Sequence, residues 1–154
     1  MEITIIVICL LLSAFFSGME IAYVSSNKVY LSIERRQQNF NASILNKLTE
    51  KPSQFITAML VGNNAVLVVY GIYSGDLIIE WLKTYFELTA FFGLLIQTLI
   101  STAIILLTAE FLPKVFFQIY ANSLIKILAI PAYFFYLIFY YISSAIIYVS
   151  DIIL

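Results

Sequence analysis

Long apolar runs without a charge constrain this chain more than any other feature. Twenty residues without a charge lie between Pro131 and Ser150, and comparable apolar blocks begin near Ile3, Phe55 and Leu88. A helix over Ile3 to Ser25 would be roughly 35 Å long, enough to cross a hydrocarbon layer of about 30 Å. Of 154 residues, 62% are hydrophobic and 11% charged, with a mean hydropathy of +0.99. A soluble domain carries about 25% charged residues, so this chain could not cover its surface with solvated groups. The sequence predicts an all-α membrane protein built as one small bundle.

The same composition removes most enzyme classes. There is no His and one Cys, Cys9, so a Ser-His-Asp triad, a Cys-His pair, a zinc cluster or an internal disulfide cannot be assembled from this chain. The expectation is a protein that is not an enzyme and holds no organic cofactor. A net charge of −1 and a pI near 5.3 give no basic surface for nucleic acid.

Three spans are predicted, over about 3–25, 55–74 and 88–112. The first lacks the positive leader and small-residue cleavage site of a signal peptide, so it is read as a retained span. The connection 26–52 carries Lys28, Arg35, Arg36, Lys47 and Lys51 against Glu34 and Glu50, with short amphipathic patches that predict one or two surface helices. A short acidic loop with Asp76, Glu80 and Glu87 against Lys83 is expected between the second and third spans. Trp81 and Tyr85 there suit a headgroup interface. The two connections differ in Lys and Arg by five to one, which places 26–52 in the cytoplasm and the N-terminus outside.

Beyond Pro113 hydropathy and periodicity disagree. A window count makes 131–150 a fourth span. Gln118, Asn122 and Lys126, however, recur every four residues, and Tyr133, Tyr136, Tyr140 and Ser143/Ser144 continue a polar-tipped stripe. That pattern predicts juxtamembrane helices over 115–154, lying at the interface or in a groove against other helices.

A carboxylate or amide at membrane depth costs on the order of 2.5 to 3.5 kcal/mol, so each such group calls for a reason. Ser17-Gly18 with Glu20, Gly62-Asn63-Asn64, and Glu110 near Pro113 are the groups concerned. Glu20 lies near the cytoplasmic end and is expected to reach headgroups or Lys28. Pro113 lacks an N–H, which deprives the Ala109 carbonyl of its helical partner and predicts a kink beside Glu110. Gly18 and Gly62 permit close backbone approach. All these donors are hard oxygens, suited to Mg²⁺, Ca²⁺, Mn²⁺ or Na⁺ and not to Zn²⁺ or Cu⁺. The structural alternative is a small-residue helix contact at Ser17-Gly18 and interhelical hydrogen bonding by Asn63 and Asn64.

Three stretches then resemble the transmembrane domain of the CNNM/CorC family of magnesium transporters, also described as hemolysin-related membrane proteins. They are Leu11 through Ser17-Gly18-Met19-Glu20-Ile21-Ala22, Pro52 through Leu60-Val61-Gly62-Asn63-Asn64, and Thr108-Ala109-Glu110-Phe111-Leu112-Pro113-Lys114. The resemblance implies a homodimer with three spans per protomer, juxtamembrane helices, an outside N-terminus and an inside C-terminus in the cell (inner) membrane. It also implies cytosolic CBS-type domains beyond Leu154. Carried over by position, Ser17, Asn63 and Glu110 would bind the transported Mg²⁺, with Asn64 beside them and carbonyls near Gly62 and Ala109 as helpers. Two positions depart from the family pattern. Leu67 stands where a second Asn is common, one turn after Asn63, and Met19 stands where Ser is common.

The resulting expectation is Mg²⁺ efflux by alternating access, with Na⁺ as a second hard cation the same oxygens would accept and membrane lipids as surroundings. The alternative is a membrane-anchored assembly or regulatory protein of the same fold with weakened transport, favoured by Leu67 and the sticky Tyr133 to Tyr148 stretch.

Overall fold

In a computed structural model the charge-free runs form long helices, because an apolar medium leaves each backbone N–H and C=O to be satisfied within its own segment. The structure describes residues 1–37, 40–85 and 89–153; Glu87 of the expected acidic loop, Leu88 at the expected start of the third span, and Leu154 lie outside them. The described residues form α1 (Glu2–Ser25), α2 (Lys28–Arg35), α3 (Phe40–Glu50), α4 (Pro52–Tyr85) and α5 (Ala90–Ile104). A π-helical segment (Ile105–Phe111) leads into α6 (Leu112–Ile119), α7 (Ala121–Ile127) and α8 (Ala129–Ile153). No strand occurs among the described residues.

Four helical paths are long and apolar enough to cross a membrane: Glu2–Ser25, Pro52–Tyr85, Ala90–Ile119 and Ala129–Ile153. α1 lies at the centre of the bundle, against α4, α6, α7 and the π-helical segment. The main core gathers at one end. There Phe16, Met19 and Ala22 of α1 meet Phe55, Ala58 and Met59 of α4, Leu45 and Leu48 of α3, Ile125 of α7 and Ala132 of α8.

The connection 26–52 holds two short helices, α2 and α3. Asn27 caps α2, its Oδ1 accepting from the N–H groups of Val29 (2.8 Å) and Tyr30 (3.2 Å). The Asn27 N–H donates in turn to Asn122 Oδ1 at 2.9 Å, which ties the start of α2 to α7.

Two expectations change. The segment from Asp76 to Tyr85 is helix rather than loop, so α4 runs for 34 residues. Tertiary packing extends it: Ile78 and Leu82 are buried beyond Ser74, whose hydroxyl lies 3.0 Å from that of Ser101 on α5. The third path also does not stop at Pro113. Pro113 sits where the π-helical segment passes into α6, and helix continues to Ile119.

The stripe Tyr133, Tyr136, Tyr140, Ser143 and Ser144 faces the charged surface helix α3 and the start of α4. Gln54 Nε2 lies 2.9 Å from the Tyr140 carbonyl, 2.7 Å from Ser143 Oγ and 2.8 Å from Ser144 Oγ. Lys47 Nζ stands 5.6 Å from the centre of the Tyr133 ring.

Candidate functional site

Residues four apart share a helix face, so Cys9, Ser13 and Ser17 form one line along α1. All three are buried. Ser13 Oγ donates to Asn63 Oδ1 of α4 at 2.6 Å. One turn further, Ser17 is 1% exposed and its Oγ has no hydrogen-bond partner among the described residues. A buried hydroxyl left unbonded costs about 1–3 kcal/mol, so it is a group that needs a reason.

Glycine makes this seam narrow. A Cβ on Gly62 would lie 2.9 Å from the rings of Phe16 and Phe139, and one on Gly18 would lie 2.6 Å from the Phe117 ring. Both positions hold glycine because another helix's aromatic ring takes the space a side chain would need.

Opposite α1, the third path leaves α-helical geometry. The Leu112 N–H bonds the Leu107 carbonyl, five residues back, and the next bond of that ladder would need an N–H at Pro113. The carbonyl that Pro113 deprives in this register is that of Thr108, not the one expected at Ala109. Short π-helical segments recur at functional sites, because the wider turn re-aims side chains and loosens the backbone. Ala109 is fully buried in this segment. Glu110, the next residue, is partly exposed and borders an open groove with Ala103, Leu106, Leu107, Phe111 and Lys114.

The carboxylate does not stand alone. Lys114 Nζ lies 4.0 Å from Glu110 Oε2, one turn along the helix, and Glu20 of α1 lies within electrostatic reach of both. Glu20 therefore belongs with this charged cluster and not with Lys28. Among the described residues no three His, Cys, Asp or Glu side chains come together as a metal cluster. A cation held here would rest on hydroxyl, amide and carbonyl oxygens with few carboxylates.

The predicted site residues thus divide. Ser17, Gly62 and Asn63 line the seam between α1 and α4. Ala109 is buried in the π-helical segment that packs on α1, and Glu110 joins Glu20 and Lys114 beside it. Asn64 is exposed on the outer side of α4 and is not brought to the seam. Sequence reasoning misses Ser13 and Lys114, and it assigns Glu20 to headgroups or Lys28 instead of to this cluster. For Ser13 the available signal was its spacing of four from Ser17, and for Lys114 its spacing of four from Glu110.

A family model described as the cyclin M transmembrane N-terminal domain matches residues 4–154. A UPF0053 protein of Haemophilus influenzae is 32% identical over 119 residues, 77% of this chain and 27% of that protein. The UPF0053 inner membrane protein YfjD of Escherichia coli is 30% identical over 112 residues, 73% of this chain and 24% of its own length. A polyamine export protein of Escherichia coli is 36% identical over 69 residues, 44% of this chain and 15% of its own. The chain spans about a quarter or less of the length of these relatives.

Proposed function

The chain belongs to the cyclin M transmembrane domain family, and from that premise we propose that it is the membrane part of a cation exporter with Mg²⁺ as its cargo. The observation that carries this reading is the Ser17 hydroxyl: buried, unbonded, one turn from the Ser13–Asn63 pair and on the helix that packs against the π-helical segment. A hydroxyl, an amide oxygen, loosened carbonyls and the Glu110 carboxylate are the hard donors that a dehydrated Mg²⁺ requires. Glycines at 18 and 62 and Pro113 give the three helices flex points for alternating access. Na⁺ is the second cation this donor set would accept.

In this reading α1, α4 and Ala90–Ile119 span, and α8 lies at the cytoplasmic interface. Support comes from partners of α8 on the charged helix α3 and in the first turn of α4, at Lys47, Gln54 and Phe55. The five-to-one excess of Lys and Arg in 26–52 supports a cytoplasmic position for that end and an outside N-terminus. The inner-membrane relative supports the same membrane for this chain. The poorly covered face of the third span suits a homodimer. The extra length of the relatives is where the resemblance puts CBS-type domains.

One observation favours a second cargo. Lys114 already places a primary ammonium near Glu110 and Glu20, and a polyamine would offer the same group; one relative is named a polyamine export protein. Reconstitution into proteoliposomes separates the readings. Mg²⁺ flux that Glu110→Gln abolishes, and that Ser17→Ala lowers without loss of thermal stability, is the expected result. Flux of putrescine without Mg²⁺ flux selects the amine cargo. Absence of both, with Leu67→Asn no better, selects the assembly or regulatory role.

A further inference from the structure

Helix α2 carries one acid, Glu34, and the fold takes it out of play. Glu34 is 8% exposed, and Lys126 of α7 reaches it with Nζ 3.0 Å from Oε1 and 2.9 Å from Oε2. The buried side of α2 is Leu31 and Glu34; the outward side presents Lys28, Val29, Ser32, Ile33 and Arg35, with Arg36 following. Every charge on the exposed face of α2 is therefore positive. An isolated reading of Lys28–Arg36 as a mixed-charge helix misses this, because the neutralising partner comes from ninety-two residues away.

The cations are also shaped. Arg35 Nε donates to Asn46 Oδ1 of α3 at 2.8 Å, which orients its guanidinium, and Ser32, Arg35, Arg36 and Asn46 line a small open notch between the two helices. A planar guanidinium held by one of its donors presents the others as a fork that matches phosphate oxygens. On α2 itself Val29 is 66% and Ile33 59% exposed, and Phe40, the first residue of α3, is 73% exposed. Only Ser26 and Asn27 separate α2 from the end of α1; with α1 spanning as proposed above, this apolar and cationic face stands where that helix leaves the bilayer.

We propose that this notch binds the phosphodiester headgroup of an anionic phospholipid, with Val29, Ile33 and Phe40 seated among the acyl chains of the same leaflet. The two halves of the face match the two halves of one molecule: a phosphate for Arg35 and Arg36, and hydrocarbon for the apolar side chains. A free phosphate would leave the apolar half in water. Amphipathic helices of this kind bind through apolar burial and attraction to anionic lipid together.

The test is lipid retention by the purified 154-residue protein in a neutral detergent, read by native mass spectrometry with phosphatidylglycerol, phosphatidylcholine or inorganic phosphate added. Phosphatidylglycerol is expected to be retained over phosphatidylcholine, and millimolar phosphate not to displace it. Removing two basic groups, each acting about fivefold on an anionic lipid, with Arg35→Gln and Arg36→Gln together should lower retention roughly twenty-five-fold. Val29→Ser with Ile33→Ser should also lower it, and Lys47→Gln, whose ammonium sits over Tyr133, should not. If the Gln pair misfolds by circular dichroism, Arg35→Lys with Arg36→Lys keeps the charge but not the fork and should still weaken retention. Equal retention of both lipids, displacement by phosphate, an unaffected arginine pair, or an equal loss on Lys47→Gln would each overturn the site.

Discussion

The first and third spans are equally able to cross a membrane by composition, yet they occupy the bundle in opposite ways. In Glu2–Ser25, 39% of the most apolar stretch is buried against other helices; in Ala90–Ile119 only 6% is. Hydropathy cannot distinguish them, since lipid tails are as apolar as Leu and exposure to lipid carries little cost. Small and polar residues do. The buried face of α1 includes Ser13, Ser17, Gly18 and Ala22, whereas α5 buries only Ser101 and the π-helical segment only Ala109. Within the third path the two parts also differ: the segment that carries Glu110 packs on α1, while the apolar α5 is little covered.

This contrast can be broken most forcefully in the core. Phe16→Ala empties a position that is 1% exposed and should cost about 3 kcal/mol or more, while Leu99→Ala, at 63% exposure on α5, should leave the unfolding midpoint of the monomer in neutral detergent nearly unchanged. Similar losses for both would mean that the third span is held as firmly as the first. Gly18→Ala comes next. Its Cβ must move the Phe117 ring, and overpacking of this kind costs roughly 1–3 kcal/mol. Phe117→Leu in the same chain should recover part of it.

A smaller effect is expected where α8 meets α4. Gln54→Leu removes the donor to Tyr140, Ser143 and Ser144, costs about 1 kcal/mol, and should speed amide exchange in Ala129–Ile153 more than in α1. The smallest concerns Lys126, whose pKa is held above the ordinary lysine value of 10.5 chiefly by its hydrogen bond to Glu34, against desolvation. A raised folded value stabilises fully below about pH 10.5 and is lost as pH rises through it. The thermal midpoint of the parent should therefore fall more over that alkaline window than that of Lys126→Gln.

Much of this architecture was legible beforehand. Charge-free runs located the long helices, the amphipathic patches announced α2 and α3, and the cost of polar groups in lipid marked Ser17, Glu20, Asn63, Asn64 and Glu110, from which the resemblance chose Ser17, Asn63 and Glu110 as ligands. The end of α4 was not legible. Asp76, Glu80 and Lys83 read as a loop by charge, but helix persists there because Ile78 and Leu82 on one side are covered by the fold. Nor was Glu20, whose position near the end of α1 pointed to headgroups while its neighbours turn out to be Glu110 and Lys114.

The sequence by itself determined the solvent, the family, the helical segments and the small set of polar side chains that must be explained. Only the tertiary structure decided which of them meet. It paired Ser13 with Asn63, left Ser17 unbonded, turned Asn64 outward, buried Glu34 against Lys126 and shifted the Glu110 segment into a wider helical turn. Periodicity tells which residues share one side of a helix; it does not tell how that helix is rotated against its neighbours, and a single π-helical turn resets the rotation for every residue after it.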